Sequence, residues 1–384
     1  MNIFEVVRGE WGLTREAEFR ADPWYIISSK QVIDSGFGKP PKEFFHKVLP
    51  PGVIVPGFVN AHSHIELSCM KDKIPYGSHL TEMGSIIQAH RGQMTSQSIR
   101  QAAVDAIHAA EAQGTFFFCD ICNSTEFIRF LRDLPAFNGN RYLELLGFSS
   151  PSDQQRIVAA KQLLDIDATF YPTVHSIYGS SPLQMMFVRE KARHTSVSIH
   201  LLESPDEIDF QQDRGRITEF LKKIGQHVRH TEMQGRSAVE YLHSVGMLSF
   251  KKLLLVHLSA ARVEDIDRLS EYVPHSAWVI CHRSNKYLGI ERTNWETLKH
   301  SPLKMLIGTD SLATNSDLSV LNEMKAIFQE GKVSEHDLLR AATWDAYEYL
   351  EIRDNRIPHF LFPGAKPNIV SMSEAPAALV LGAA

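Results

Sequence analysis

The stretch VIVPGFVNAHSH, residues 53–64, decides how the rest of the chain is read. It begins as an apolar, β-rich run and ends on two histidines, His62 and His64, one residue apart. In a strand, residues i and i+2 point to the same side, so both imidazoles can reach one point from the end of a buried strand. Seven further runs of this kind follow: TFFFCDIC (115–122), RYLELLGF (141–148), ATFYPTVH (168–175), VSIHLLE (197–203), LLLVHLS (253–259), AWVICHRS (277–284) and KMLIGTDS (304–311). Amphipathic stretches such as SIRQAAVDAIHAAEAQG (98–114) and GRITEFLKKIG (215–225) separate them, with Gly114 and Gly225 where a helix C-cap would sit. Strand–helix alternation predicts parallel strands with crossover helices. Eight such units predict an α/β fold, a (β/α)8 TIM-like barrel whose active site lies at the C-terminal strand ends. An open doubly wound sheet is the alternative.

Outward from that middle, the composition is that of an ordinary globular protein: 384 residues, 43% hydrophobic, 22% charged, net charge −5. No basic field points to nucleic acid. Four cysteines do not make a disulfide framework, and a reducing, cytoplasmic compartment is the simpler expectation. The charged N-terminal stretch has no signal-peptide core, and no apolar run approaches the roughly 18 residues that span a bilayer. The stretches WYIISSKQVIDSGFGKPP and HFLFPGAKPNIVSMSEAPAALVLG read as short β segments at the two chain ends. Together they predict a small β-sandwich domain, residues 1–55 plus 357–384, around a catalytic barrel of residues 56–356. The polar stretch 204–248 reads as a long loop carrying lid or substrate contacts.

Polar residues concentrate at the strand ends: His62, His64, His175, His200, Glu203, His257 and Asp310. A catalytic zinc takes about three protein ligands plus water. His62, His64, His200 and Asp310 would supply three nitrogens and a carboxylate. A divalent ion there would bring the pKa of water from about 16 toward about 7. Asp310 then doubles as a general base, Glu203 shuttles a proton, and His257 is a further ligand or a hydrogen-bonding residue near the water. The CDIC pair, Cys119 and Cys122, reads as core and strand-end residues rather than a redox or zinc site.

In this order and spacing, PGFVNAHSH, HLLE, VHLS, CHRSN and IGTDS resemble the amidohydrolase superfamily, in its cytosine-deaminase and chlorohydrolase-like branch. The resemblance implies a barrel with a β-sandwich built from both chain ends. It implies one divalent metal, with zinc first and iron or manganese as alternatives, on His62, His64, His200 and Asp310. By the same resemblance, Glu203 is the proton shuttle and His257 the sixth-strand histidine. Binuclear members carry a lysine on strand four; here that strand reads YPTVHS, which implies a single metal. His175 resembles a substrate-contacting histidine of nucleoside-type deaminases. Glu66, Arg283, Ser284, Asn285 and Ser311 complete the expected substrate contacts, Glu66 with a barrel-mouth salt bridge as its alternative. CHRSN has His282 where relatives often have proline, and the closing LFPGAKPNIV is a degraded version of the family's last β motif.

The implied activity is hydrolytic deamination of an aminated heterocycle. Asp310 takes the water proton and His257 steadies the developing oxyanion. Glu203 protonates a ring nitrogen and later passes a proton to departing ammonia. HSHIELS and GTDSLATN most resemble aminodeoxyfutalosine deaminases of bacterial menaquinone synthesis, whose substrate is an adenine nucleoside derivative. The alternative is other hydrolysis at the same site, of a triazine halide or a cyclic amide or imidazolone. The expected partners are the small heterocyclic substrate and water, with no nucleic acid or membrane, and a homodimer fits the branch.

Overall fold

The structure, a computed structural model, describes residues 5–28, 31–42, 45–48, 52–147, 150–193, 195–226, 233, 235–290, 293, 295–299, 301–352 and 359–363. Most of the closing motif LFPGAKPNIV, from residue 364 on, lies outside the described residues. Seven strands come first: β1 (Glu5–Arg8), β2 (Trp11–Leu13), β3 (Phe19–Ala21), β4 (Pro23–Ser28), β5 (Gln31–Phe37), β6 (Phe45–Val48) and β7 (Gly52–Pro56). Eight more follow: β8 (Phe58–Ser63), β9 (Thr115–Cys122), β10 (Gly139–Leu145), β11 (Phe170–Val174), β12 (Ser196–Leu201), β13 (Lys252–His257), β14 (Ala277–Ile280) and β15 (Lys304–Ile307). β16 (His359–Pro363) closes the set.

These last eight before β16 match the eight apolar runs. They form two four-stranded sheets, β11-β10-β9-β8 and β12-β13-β14-β15, parallel throughout the registers of β9 to β11 and β12 to β15. Their residues are nearly all buried, as expected of parallel strands covered on both faces. The sheet edges are tied in two places. His200 N–H donates to His175 O at 2.9 Å, and Thr309 and Asp310 N–H both donate to His62 O, at 3.0 and 3.1 Å. The α/β architecture with parallel sheets fits a TIM-barrel-like fold.

The opening run is not one strand. It changes sheets at Gly57: β7 pairs with β16 and β2, in a sheet ordered β16-β7-β2-β3, while β8 starts the parallel set. Pro56 has no N–H with which to continue a ladder, which marks the change. The other terminal sheet is ordered β5-β4-β1-β6. By packing, the chain divides into two units. One comprises 1–60, 110–117 and 319–384; the other comprises 61–109 and 118–318.

Helices α1 (Leu80–Arg91), α2 (Ser96–Glu111), α3 (Thr125–Asp133), α4 (Ser150–Leu164) and α5 (Pro182–Lys191) lie between the early parallel strands. Gly114, past α2, sits at φ 87°, where glycine escapes the Cβ clash. Within 204–248, α7 (Gly215–Lys223) matches the helical candidate GRITEFLKKIG, while α6 (Pro205–Gln211) and α8 (Ala238–Ser244) form where a loop was expected. The signals were local. Pro205 opens α6 at a position needing no N–H, and Ser237 with Glu240 forms a capping box on α8. Gly225, after α7, adopts φ 71°. Among the described residues, no helix is long and apolar enough to cross a membrane.

Candidate active site

The backbone presents the strand-end side chains in unusual conformations. Leu202, His257, Leu258 and Asp310 have φ of 49°, 76°, 53° and 59°, a left-handed region that non-glycine residues seldom occupy. Such strain concentrates at functional sites and persists when neighbours hold it. Here Leu258 N–H is bound to Leu201 O at 3.0 Å and Asp310 N–H to His62 O. The turn after β8 is gripped from β9. Asp120 Oδ1 accepts Ser63 Oγ at 2.9 Å and Ile65 N–H at 2.8 Å, one residue to either side of His64. Burial pushes the Asp120 carboxyl up to about 7.

His62, His64 and His200 each offer a ring nitrogen, all within 4.8 Å of one another. His64 Nε2 and His200 Nε2 face each other at 3.3 Å, and Asp310 Oδ1 lies 3.7 Å from His64 Nε2. The Nδ1–H of His200 donates to His175 O at 3.1 Å, which leaves its Nε2 lone pair aimed at His64. Burial first, and the neighbouring imidazoles second, hold His62 and His200 well below the usual imidazole range. Imidazole nitrogens converging beside a carboxylate are the donor set a divalent cation takes. A second triplet, Glu144, His175 and His200, adjoins the first.

Around that cluster lie the proton-handling groups. Glu203 is almost fully buried, and burial, then Asp310, raises its carboxyl well above the ordinary range. Its Oε1 is 3.5 Å from His257 Nε2. The Nδ1–H of His257 donates to Asn285 Oδ1 at 2.9 Å, and Asn285 Nδ2 donates to Ser259 Oγ at 2.6 Å. Burial holds His257 down to about 4, so the ring is neutral and its Nε2 is an acceptor. Asp310 Oδ2 accepts Ser284 Oγ at 2.6 Å and Thr314 Oγ1 at 3.2 Å, which leaves Oδ1 toward His64. Burial pushes the Asp310 carboxyl up, but His64, His257 and the Ser284 hydroxyl outweigh it and hold it below the ordinary range.

These groups open into a cavity of about 320 Å³. His64, His175, His200, Glu203, His257, Asp310 and Ser311 all line it. The remaining expected substrate contacts are engaged elsewhere and do not line it. Glu66 accepts Asn123 N–H and Ser124 Oγ, both at 2.7 Å, at the start of α3. Arg283 pairs bidentately with Asp317. Ser284 and Asn285 act through Asp310 and His257. Cys119 and Cys122 are buried thiols; burial pushes Cys119 up to about 12, and Cys122 Sγ donates to Asp120 Oδ2 at 3.2 Å. Sequence reasoning passed over Asp120 and Glu144. The signal was present: each is a lone acid inside an otherwise apolar strand run.

The profile described as "Amidohydrolase family" matches residues 53–356. An adenosine deaminase of Helicobacter pylori is 26% identical over 282 residues, 71% of this chain and 67% of that protein. A 5-methylthioadenosine/S-adenosylhomocysteine deaminase of Teredinibacter turnerae is 24% identical over 312 residues, 78% of this chain and 64% of that protein. The chain thus spans somewhat under two thirds of the second relative. Among solved structures, H. pylori aminofutalosine deaminase in complex with methylthio-coformycin superposes with a TM-score of 0.78 at 21% identity, covering 93% of this chain and 90% of that one. At that identity the likeness speaks for the fold.

Proposed function

The chain belongs to the amidohydrolase family, and from that premise we propose that it is a hydrolytic deaminase that releases ammonia from an adenine-type nucleoside derivative. Aminodeoxyfutalosine is the substrate we favour, and the named deaminases among its relatives support that class. In the same reading the two parallel sheets close as an eight-stranded barrel over 56–356, with a small sandwich from 1–55 and 357–384. Four unpaired cysteines suit a cytoplasmic setting.

One observation carries the chemical reading: Glu203, a carboxyl whose pKa burial raises, shares a cavity with an acceptor imidazole and a converging histidine cluster. We assign His62, His64, His200 and Asp310 to one divalent ion, with zinc first. When bound, that ion supplies Lewis acidity, which makes water a nucleophile near neutral pH. Asp310 Oδ1 takes a proton from the attacking water. His257 Nε2, an acceptor in its neutral tautomer, orients that water; this suits it better than donating to a developing oxyanion. Glu203 gives its proton to the ring nitrogen of the amidine, so the neighbouring carbon becomes electrophilic. It then takes the hydroxyl proton of the tetrahedral carbon and hands it to the amino group, which leaves as ammonia while the carbonyl forms. Transfer of the Asp310 proton back to Glu203 resets the pair.

The test is ammonia release by metal-loaded protein against a panel of aminated purines, nucleosides, pterins and pyrimidines, with Glu203→Gln alongside. Ammonia from an adenine nucleoside, lost in the variant, is the expected outcome. Chloride or a ring-opened carboxylate in place of ammonia would move the reaction to another hydrolysis.

A further inference from the structure

Helices α6 and α8 each follow a serine N-cap and carry a glutamate at the third helical position. On α8 the two residues cap the helix reciprocally. Ser237 N–H donates to Glu240 Oε2 at 2.8 Å, and Glu240 N–H donates to Ser237 Oγ at 3.2 Å. On α6 the glutamate is diverted. Glu207 passes over its own N-cap, Ser204, whose hydroxyl makes no cap bond. Its Oε2 instead accepts Glu203 N–H at 3.1 Å, with Leu202 N–H as its other backbone partner. Glu207 is fully buried, and its Oε1 has no hydrogen-bond partner among the described residues. Capping does not call for so costly a placement, and Glu240 achieves it half-buried.

The backbone that Glu207 grips is strained and tied to a second turn. Leu202 sits at φ 49°, and across from it His257 and Leu258 sit at 76° and 53°. The Leu201 carbonyl accepts Leu258 N–H at 3.0 Å, and the Leu202 carbonyl accepts Ala260 N–H at 2.8 Å. These bonds lace the turn after β12, which carries Glu203, to the turn after β13, which carries His257. Main-chain donors thus hold the carbonyl side of the first turn, and one side chain, Glu207, holds its amide side.

We propose that Glu207 is a positioning residue for the proton shuttle, its carboxyl binding the Leu202 and Glu203 amides so that the Glu203 side chain stays in the cavity beside His257. The inference rests on the deaminase reading and adds to it a residue outside the cavity lining. Without that acceptor, nothing on the amide side opposes relaxation of Leu202 from the left-handed region. A shift of about 1 Å at a reacting group costs on the order of 100-fold in rate.

The experiment compares metal-loaded native protein with three variants. Glu207→Met removes the acceptor at similar volume, Glu207→Gln keeps it, and Glu240→Met removes the corresponding glutamate of α8. Ammonia release from an adenine nucleoside gives kcat and KM, and elemental analysis gives metal content. Hydrogen exchange of the backbone around Leu202 and Glu203 reads the turn without turnover. Glu207→Met is expected to lose kcat by about 10–100-fold, with KM and metal content near native and a faster-exchanging turn. Glu207→Gln should restore both kcat and protection, which a requirement for the acid itself would not allow. Glu240→Met should lower the Tm at native kcat. Native kcat in Glu207→Met would overturn the proposal, as would metal loss in that variant. Equal losses in Glu207→Met and Glu207→Gln, or in Glu207→Met and Glu240→Met, would overturn it too. Where Glu207→Met does not fold, Glu207→Asp, which draws the acceptor back by one methylene, carries the same expectations. If no nucleoside releases ammonia, the deaminase reading fails by itself. Exchange then still decides the clamp: a turn that opens in Glu207→Met and closes in Glu207→Gln supports it, and equal exchange removes it.

Discussion

The floor and the wall of the cavity are built on different principles. The floor consists of strand-end residues fixed by backbone: four positions in left-handed conformations and a turn gripped by Asp120. The wall consists of helix residues from α1, α4 and α7, mostly apolar, with Thr81, Gln88 and two guanidinium groups among them. A floor of this kind holds reacting groups within tenths of an ångström, and displacing one donor disrupts the rest. Side chains on helices can change one at a time. In the proposed reading, chemistry thus resides in the rigid part and selection in the replaceable part.

Substitutions should divide along that line. The largest effect is expected at the floor. Chelation of the metal, or His200→Ala, should abolish activity, with metal content by elemental analysis falling alongside; activity should return to the chelated native protein on adding zinc. Glu203→Gln should lower kcat by about 10²–10⁴-fold, the usual weight of general acid–base catalysis, while metal content stays unchanged. A loss of metal in that variant would place Glu203 among the ligands and blur the division. Asn285→Ala frees His257 Nδ1 and should reduce kcat by about 10–100-fold, as for other partners of site histidines.

At the wall, Phe220→Ala should raise KM severalfold with kcat nearly intact. A fall in kcat equal to the loss at Asn285 would erase the contrast between the two regions. The smallest effect falls on stability. Glu207 is fully buried, its Oε2 accepts Glu203 N–H at 3.1 Å, and burial raises its carboxyl to about 8. A carboxyl raised in the folded state binds its proton more tightly there than in the unfolded chain. Its contribution is therefore full below the unfolded value and lost as pH rises toward about 8. Glu207→Gln should raise the Tm by a few degrees at pH 8, with the gap closing toward pH 5. A gap that widens in acid would reverse the sign.

The floor was legible in the sequence and the wall was not. Period-2 alternation places His62 and His64 on one side whatever surrounds them, and the apolar runs ended where the polar residues began. That is why His175, His200, Glu203, His257, Asp310 and Ser311 come together in one cavity as expected. Glu66, Arg283, Ser284 and Asn285 were located but not aimed. A side chain next to a ligand can serve the ligand as readily as the substrate, and only three-dimensional pairing separates the two. The wall arises from α1 and α4 together with α7, the helix expected from GRITEFLKKIG, and from Arg91 and Arg156, which lie 65 residues apart. Nothing in local pattern connects them. The break at Gly57 falls within two residues of the boundary expected at 55/56, although VIVPGFVNAHSH reads as one run ending in polar residues.

The two hydrogen bonds from Thr309 and Asp310 to the carbonyl of His62 carry a consequence for how the protein matures. They join the start of the parallel strand set to its end, so the proposed donor set spans residues 62 to 310. A growing chain that has emerged only through β14 already holds three of the four donors, yet it has no partner for the His62 carbonyl and no Asp310. Ion capture with the full set then becomes a late event in biogenesis, after the last parallel strand docks. Nascent and truncated chains would hold the ion poorly, and a loaded site would mark a completed molecule.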